Sequence, residues 1–225
     1  DIAEQSMKRL LDTGYRDASA ARFLLGQIAE ERKDWSGAID WYRGIGRGER
    51  AVPARLRTAQ ALVKLGRFEE ARAYLRNAAQ TNVEQQAQFV IAEAQLLRDA
   101  NRSREAYGLL DEALKKTPDQ PEMLYDLALT AEKIERHDVM EGHLRRLIQL
   151  QPENAHAYNA LGYSLADRNQ RLDEARDLIS KALSFAPGEP VIVDSMGWVE
   201  FRLDRLGEAE RLLDRKSTRM NSSHG

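Results

Sequence analysis

Small and bulky apolar residues recur along this chain in a fixed order. Ala38, Ala71, Ala106, Met140, Ala175 and Ala209 form one series, with successive steps of 33, 35, 34, 35 and 34 residues. Upstream of each anchor stands another small residue: Gly26, Ala59, Ala94, Ala128, Gly162 and Gly197. One turn after each anchor comes a large apolar residue: Tyr42, Leu75, Leu110, Leu144, Ile179 and Leu213. Trp35, Phe68, Leu172 and Leu206 precede four of the anchors by three places, with Ser103 and His137 as weaker members. Residues three and four apart share one face of a helix, so each unit reads as two amphipathic helices. Small residues let the two backbones approach, and the bulky ones fill the space beside that contact.

This pattern predicts helix pairs at 19–32/35–47, 53–65/68–81, 87–99/103–116, 121–134/137–150, 155–167/172–185 and 190–203/206–215, preceded by a lone helix at 2–13. Turns are expected at Lys33-Asp34, Gly66-Arg67, Asn101-Arg102, Glu135-Arg136, Asn169-Gln170 and Asp204-Arg205. Gly44, Gly46 and Gly48 predict a frayed end to the second helix of the first pair. Pro118, Pro152 and Pro187 close three of the repeats. One hairpin cannot bury its own apolar face, so neighbours must stack. The expected fold is all-α, a right-handed superhelical solenoid of antiparallel helix pairs. Residues 1–18 read as the second helix of a truncated repeat and 19–214 as six hairpins in one continuous solenoid.

The ~34-residue period, with Asn159-Ala160-Leu161-Gly162-Tyr163, Asp173-Glu174-Ala175 and Ala182 to Pro187, resembles the tetratricopeptide repeat family over residues 19 to about 215. Met140 and Leu147 replace the family's usual alanines in the fourth repeat. A narrower resemblance lies in Tyr158 to Asp167, Pro187, Asp194-Ser195-Met196-Gly197-Trp198 and Phe201-Arg202-Leu203. These segments are similar to the C-terminal half of Gram-negative outer-membrane repeat lipoproteins, some of which are adaptors for a periplasmic carboxyl-terminal processing protease. That resemblance implies a scaffold on the periplasmic side of the outer membrane, with a periplasmic protease or cell-wall enzyme as partner. The chain opens on Asp1 with no targeting segment, and it is expected to be a piece of a longer protein. Residues 215–225 lose the helical period. The run Arg215 to His224 resembles a peptide produced when sequencing-adapter DNA is translated, so the tail is expected to be non-native.

In a repeat stack the first helices line a concave groove suited to a protein or peptide. The residues predicted to face it follow the small landmark: Gln27, Gln60, Gln95, Leu129, Tyr163 and Trp198. On the same face one turn earlier stand Phe23, Leu56, Ile91, Tyr125, Asn159 and Asp194, and one turn later Glu30, Val63, Arg98, Glu132, Ala166 and Phe201. Glutamine offers a donor and an acceptor to an extended peptide backbone, but it is also simply a good soluble helix former. Trp198 suits an apolar anchor or packing between repeats. No Asn and Lys or Arg set stands ready to clamp a chain-terminal carboxylate.

Composition narrows the chemistry. Of 225 residues, 31% are charged and 42% hydrophobic, and the net charge of −2 gives no bulk attraction to nucleic acid. There is no cysteine and no long apolar run, so neither a thiolate site nor membrane insertion of this segment is expected. His137 and His143 lack metal-ligand spacing, and Asp12-Thr13-Gly14 reads as a helix end. Ser195 lacks the glycines of a nucleophile elbow. No enzyme activity, metal or cofactor is expected, and the chain reads as a protein-interaction scaffold. The alternatives are a docking segment of a larger enzyme and a purely structural array.

Overall fold

The computed structural model describes residues 2–12, 18–78 and 83–211, and every regular element among them is helical. The helices are α1 Ile2–Asp12, α2 Ala18–Glu31, α3 Trp35–Arg43, α4 Ala51–Lys64, α5 Phe68–Ala78, α6 Val83–Asp99, α7 Ser103–Lys116, α8 Pro121–Lys133, α9 His137–Leu150, α10 Ala155–Asp167, α11 Leu172–Phe185 and α12 Pro190–Arg202. Residues 206–211 are also helical. The predicted tail at 215–225 lies outside the described residues, as does the end of the helix predicted at 68–81. Two boundaries differ from expectation. The helix expected at 35–47 stops at Arg43, where Gly44 ends it. The helix expected from 87 begins at Val83.

The chain divides into two compact units, residues 1–109 and 110–225. In the first, α2 packs on α3 and α4 on α5, and α3 and α5 each meet the next first helix. Ala38, Tyr42, Ile45, Ala29 and Ala54 form one core cluster. Ile39, Leu62, Ala71, Leu75 and Phe89 belong to another. In the second unit, α8 packs on α9 and α10 on α11, while α10 also meets α9 and α12. Leu127, Leu144, Leu147, Leu161, Leu165, Ile179 and Val199 fill its core.

The repeat landmarks sit where the pattern puts them. All six anchors from Ala38 to Ala209 are buried, and so are their six upstream partners. A Cβ added to Gly162 would lie 2.8 Å from the carbonyl oxygen of Ala175 and 2.7 Å from Ile179 Cγ1. Glycine is needed there for close helix approach. Met140 and Leu147, the departures of the fourth repeat, are both buried. Leu206 departs from its expected packing role and is exposed.

All six hairpin turns share one geometry. Lys33, Gly66, Asn101, Glu135, Asn169 and Asp204 have φ between 55° and 75°. The next residue's amide reaches back across the turn, as Asp34 to Ala29, Arg67 to Leu62, Arg102 to Leu97, Arg136 to Ala131, Gln170 to Leu165 and Arg205 to Glu200, at 2.8–2.9 Å. This is the six-to-one bond of a Schellman stop, which satisfies helix-end carbonyls. Asp34 then caps α3 by accepting from the Gly37 amide at 2.9 Å, and Asn154 caps α10 by accepting from Ala157 at 3.0 Å.

Candidate partner-binding faces

In the first unit, the predicted face divides between solvent and core. Gln60 and Gln95 are exposed, while Gln27 and Arg98 are half-buried. Gln95 is engaged along its own helix: it donates to Asp99 Oδ1 at 2.6 Å and accepts from Arg98 Nη2 at 2.5 Å. Phe23 and Leu56, expected to face a partner, are partly buried and pack against the hydrophobic core. The Phe23 and Tyr42 ring centres are 5.5 Å apart, and the Arg57 guanidinium stands 5.7 Å from the centre of the Phe23 ring while pairing with Glu30. Burial pushes the Tyr42 phenol up. Val63 likewise joins the core.

The first unit also holds a charge cluster that the repeat pattern does not reveal. Glu93 on α6 is 2% exposed and accepts from Arg72 Nε at 2.9 Å and Arg76 Nη2 at 2.5 Å. Arg102 donates to Glu69 and Glu105, which holds both carboxyls below their ordinary value. Arg72 and Arg176 occupy the same place, one residue after their anchors. Arg176 Nε donates to the buried Glu200 of the following repeat at 2.6 Å.

The second unit gathers the apolar half of the predicted site on α8, α10 and α12. Tyr125 and Leu129 are half-buried on α8, and burial raises the Tyr125 phenol, with Asp126 and Glu132 adding to it. Tyr163 on α10 is 43% exposed and Phe201 on α12 is 49% exposed. Trp198 stacks on Phe201 with ring centres 5.6 Å apart, and Arg202 lies 5.5 Å over the indole. Val191, which the pattern did not single out, is 61% exposed two turns before Trp198. Asp194 is half-buried between them in sequence. Ala166, expected on this face, is fully buried.

Several polar atoms of this face are shut from solvent, Asp194 Oδ1 among them. Asn159 is 8% exposed, and its Oδ1 finds no hydrogen-bond partner among the described residues. The Trp198 Nε1 is in the same position. One is an acceptor and the other a donor, on two helices that pack together. His156 is exposed, and His137 is half-buried. Among the described residues no group of three or more His, Asp or Glu side chains is disposed to hold a metal, and no helix is long and apolar enough to cross a membrane.

The tetratricopeptide repeat sequence profile matches residues 1–51, 56–96, 91–139 and 141–190. The chain belongs to the tetratricopeptide repeat family. It is 42% identical over 196 residues to the TPR repeat-containing protein PA4667 of Pseudomonas aeruginosa, a match that takes in 86% of this chain and 33% of that protein. The chain therefore spans about a third of that relative's length. Among solved structures, a tetratricopeptide repeat protein from Parabacteroides merdae superposes with a TM-score of 0.65 at 12% identity, over 89% of this chain and 79% of that one. MamA from Desulfovibrio magneticus gives 0.62 at 20% identity, over 79% and 99%. YrrB, described as a TPR protein with an unusual peptide-binding site, gives 0.52 at 12% identity, over 84% and 97%. These structural likenesses establish the helical-hairpin fold.

Proposed function

We propose that this tetratricopeptide protein is an adaptor that holds an extended segment of a partner protein against α10 and α12. The observation that carries the reading is the exposure of Tyr163 on α10 and of Val191 and Phe201 on α12, two helices that pack together, with Trp198 stacked on Phe201. An extended peptide laid along these helices would cover exposed apolar side chains such as Val191. The aromatic rings beside them suit apolar side chains of the same segment. The peptide-binding site named for YrrB is a precedent within the fold. The glutamine face of the first unit takes a secondary part, since Gln95 is already engaged by its neighbours.

The setting we propose is the Gram-negative envelope, on the periplasmic side of the outer membrane, with a periplasmic protease or cell-wall enzyme as the partner. Residues 158–213 support it through their resemblance to envelope repeat lipoproteins, and the Pseudomonas relative, 42% identical, comes from a Gram-negative source. Photo-crosslinking from position 163 in envelope extract, with Trp198→Ala as control, tests both parts. The expected result is a periplasmic enzyme captured by the native chain and lost with the control. Capture unaffected by Trp198→Ala would remove the site, and capture of cytoplasmic proteins alone would remove the setting.

A further inference from the structure

The three helices that carry the aromatic face also carry an excess of negative charge. Glu122, Asp126 and Glu132 lie on α8, Asp167 on α10 and Asp194 on α12, against Lys133 and Arg202. Arg202 is laid over the Trp198 ring. The remaining acid, Glu200, is buried and neutralised from α11 by Arg176 at 2.6 Å. Helical spacing places the charges beside the rings: Glu132 is three residues past Leu129, Asp167 four past Tyr163, and Asp194 four before Trp198. Electrostatic proximity agrees, since Asp126 and Glu132 both act on the Tyr125 phenol. Over the matching helices of the first unit the charges balance, for α4 carries Arg55, Arg57 and Lys64 without an acidic residue while α2 and α6 are each net acidic. The acidic excess summed over α8, α10 and α12 thus has no counterpart in the sum over α2, α4 and α6.

We infer that the segment held on α8, α10 and α12 is basic, an extended peptide alternating Lys or Arg with apolar residues. This inference rests on the peptide-binding reading of the same face. Cations gain twice there: from the carboxylates, and from the faces of Tyr163 and Phe201. An acidic peptide would meet Glu132 and Asp167 as like charges, which costs affinity and rejects the wrong partner.

The test is selection from a phage-displayed library of random peptides on the full chain, with counter-selection on Trp198→Ala. The expected pool is rich in Lys, Arg and apolar residues. Its binding should weaken as salt is raised and fall about tenfold in an E132Q/D167N variant. Both substituted side chains reach solvent, and circular dichroism checks that the fold is kept. The E132K/D167K variant should enrich acidic peptides instead. A pool that is neutral or acidic, and indifferent to E132Q/D167N, would overturn the charge inference while leaving the binding face in place. A pool that binds Trp198→Ala equally well would overturn the face itself, and this inference with it.

Discussion

Arg72 on α5 donates its Nε to Glu93 Oε1 on α6 at 2.9 Å, joining two successive hairpins. Both residues are nearly sealed from solvent, at 9% and 2% exposure. Removing one partner strands the other charge, whereas removing both does not. Arg72→Met should therefore destabilise the fold by about 2–4 kcal/mol, moderated by Arg76, which still reaches Glu93. The double variant R72M/E93L should recover most of that loss. Urea denaturation of the native chain, R72M, E93L and the double variant checks it, and additive losses would show that the pair is not coupled.

Much of the fold was legible because small residues have no alternative at a close helix crossing. Gly26, Ala94 and Gly162 mark the crossings. The turns were legible for a different reason: a polar or glycine residue interrupts two apolar periods, and all six such points adopt the same left-handed stop. The candidate site was legible only in part. Tyr163 and Phe201 are exposed as expected, but helical period alone cannot tell a groove side chain from one leaning into the next repeat. Phe23 and Leu56 lean against the core and Ala166 is fully buried for that reason. Glu93 was invisible because its partners lie on the preceding hairpin, and a lone carboxylate on a helix reads as solvated.

Two helical glycines should respond in opposite directions. A Cβ at Gly162 would press on the Ala175 carbonyl, whereas one at Gly142 on α9 meets nothing within 4 Å. Gly142→Ala should stabilise by about 0.5–1 kcal/mol through helix propensity. Gly162→Ala should destabilise by about 1–3 kcal/mol despite the same propensity gain. Thermal unfolding of both variants decides it. If both proved stabilising, α10 and α11 would be packed less closely than described.

Glu135 occupies the left-handed stop after α8 at φ 62°, where Gly66 stands in an earlier repeat at φ 75°. A side chain in that conformation costs about 1 kcal/mol. Glu135→Gly should therefore gain about 0.5–1 kcal/mol, and Gly66→Ala should lose a similar amount. The same glycine placed at Glu132, inside α8, should be destabilising. A loss of stability in Glu135→Gly, measured by chemical denaturation, would mean that its side chain makes a compensating contact.

Glu141 on α9 ties two repeats together by accepting from Arg171 and Arg145. The Arg171 hydrogen bond, with Arg145 assisting, holds its carboxyl down to about 2, although burial pushes the other way. A carboxyl lowered by folding contributes stability above its ordinary value of 4.5, and that contribution is lost as pH falls towards 2. Screening at the exposed arginines limits it to about 1 kcal/mol. Glu141→Gln should therefore be less stable than the native chain near neutrality, and the two stability curves should converge as pH drops through that window. Other lowered carboxyls, Glu69 and Asp119 among them, steepen the acid limb of both proteins equally and cancel in the difference. Curves that run parallel through the window would show that the Arg171 bond does not persist in solution.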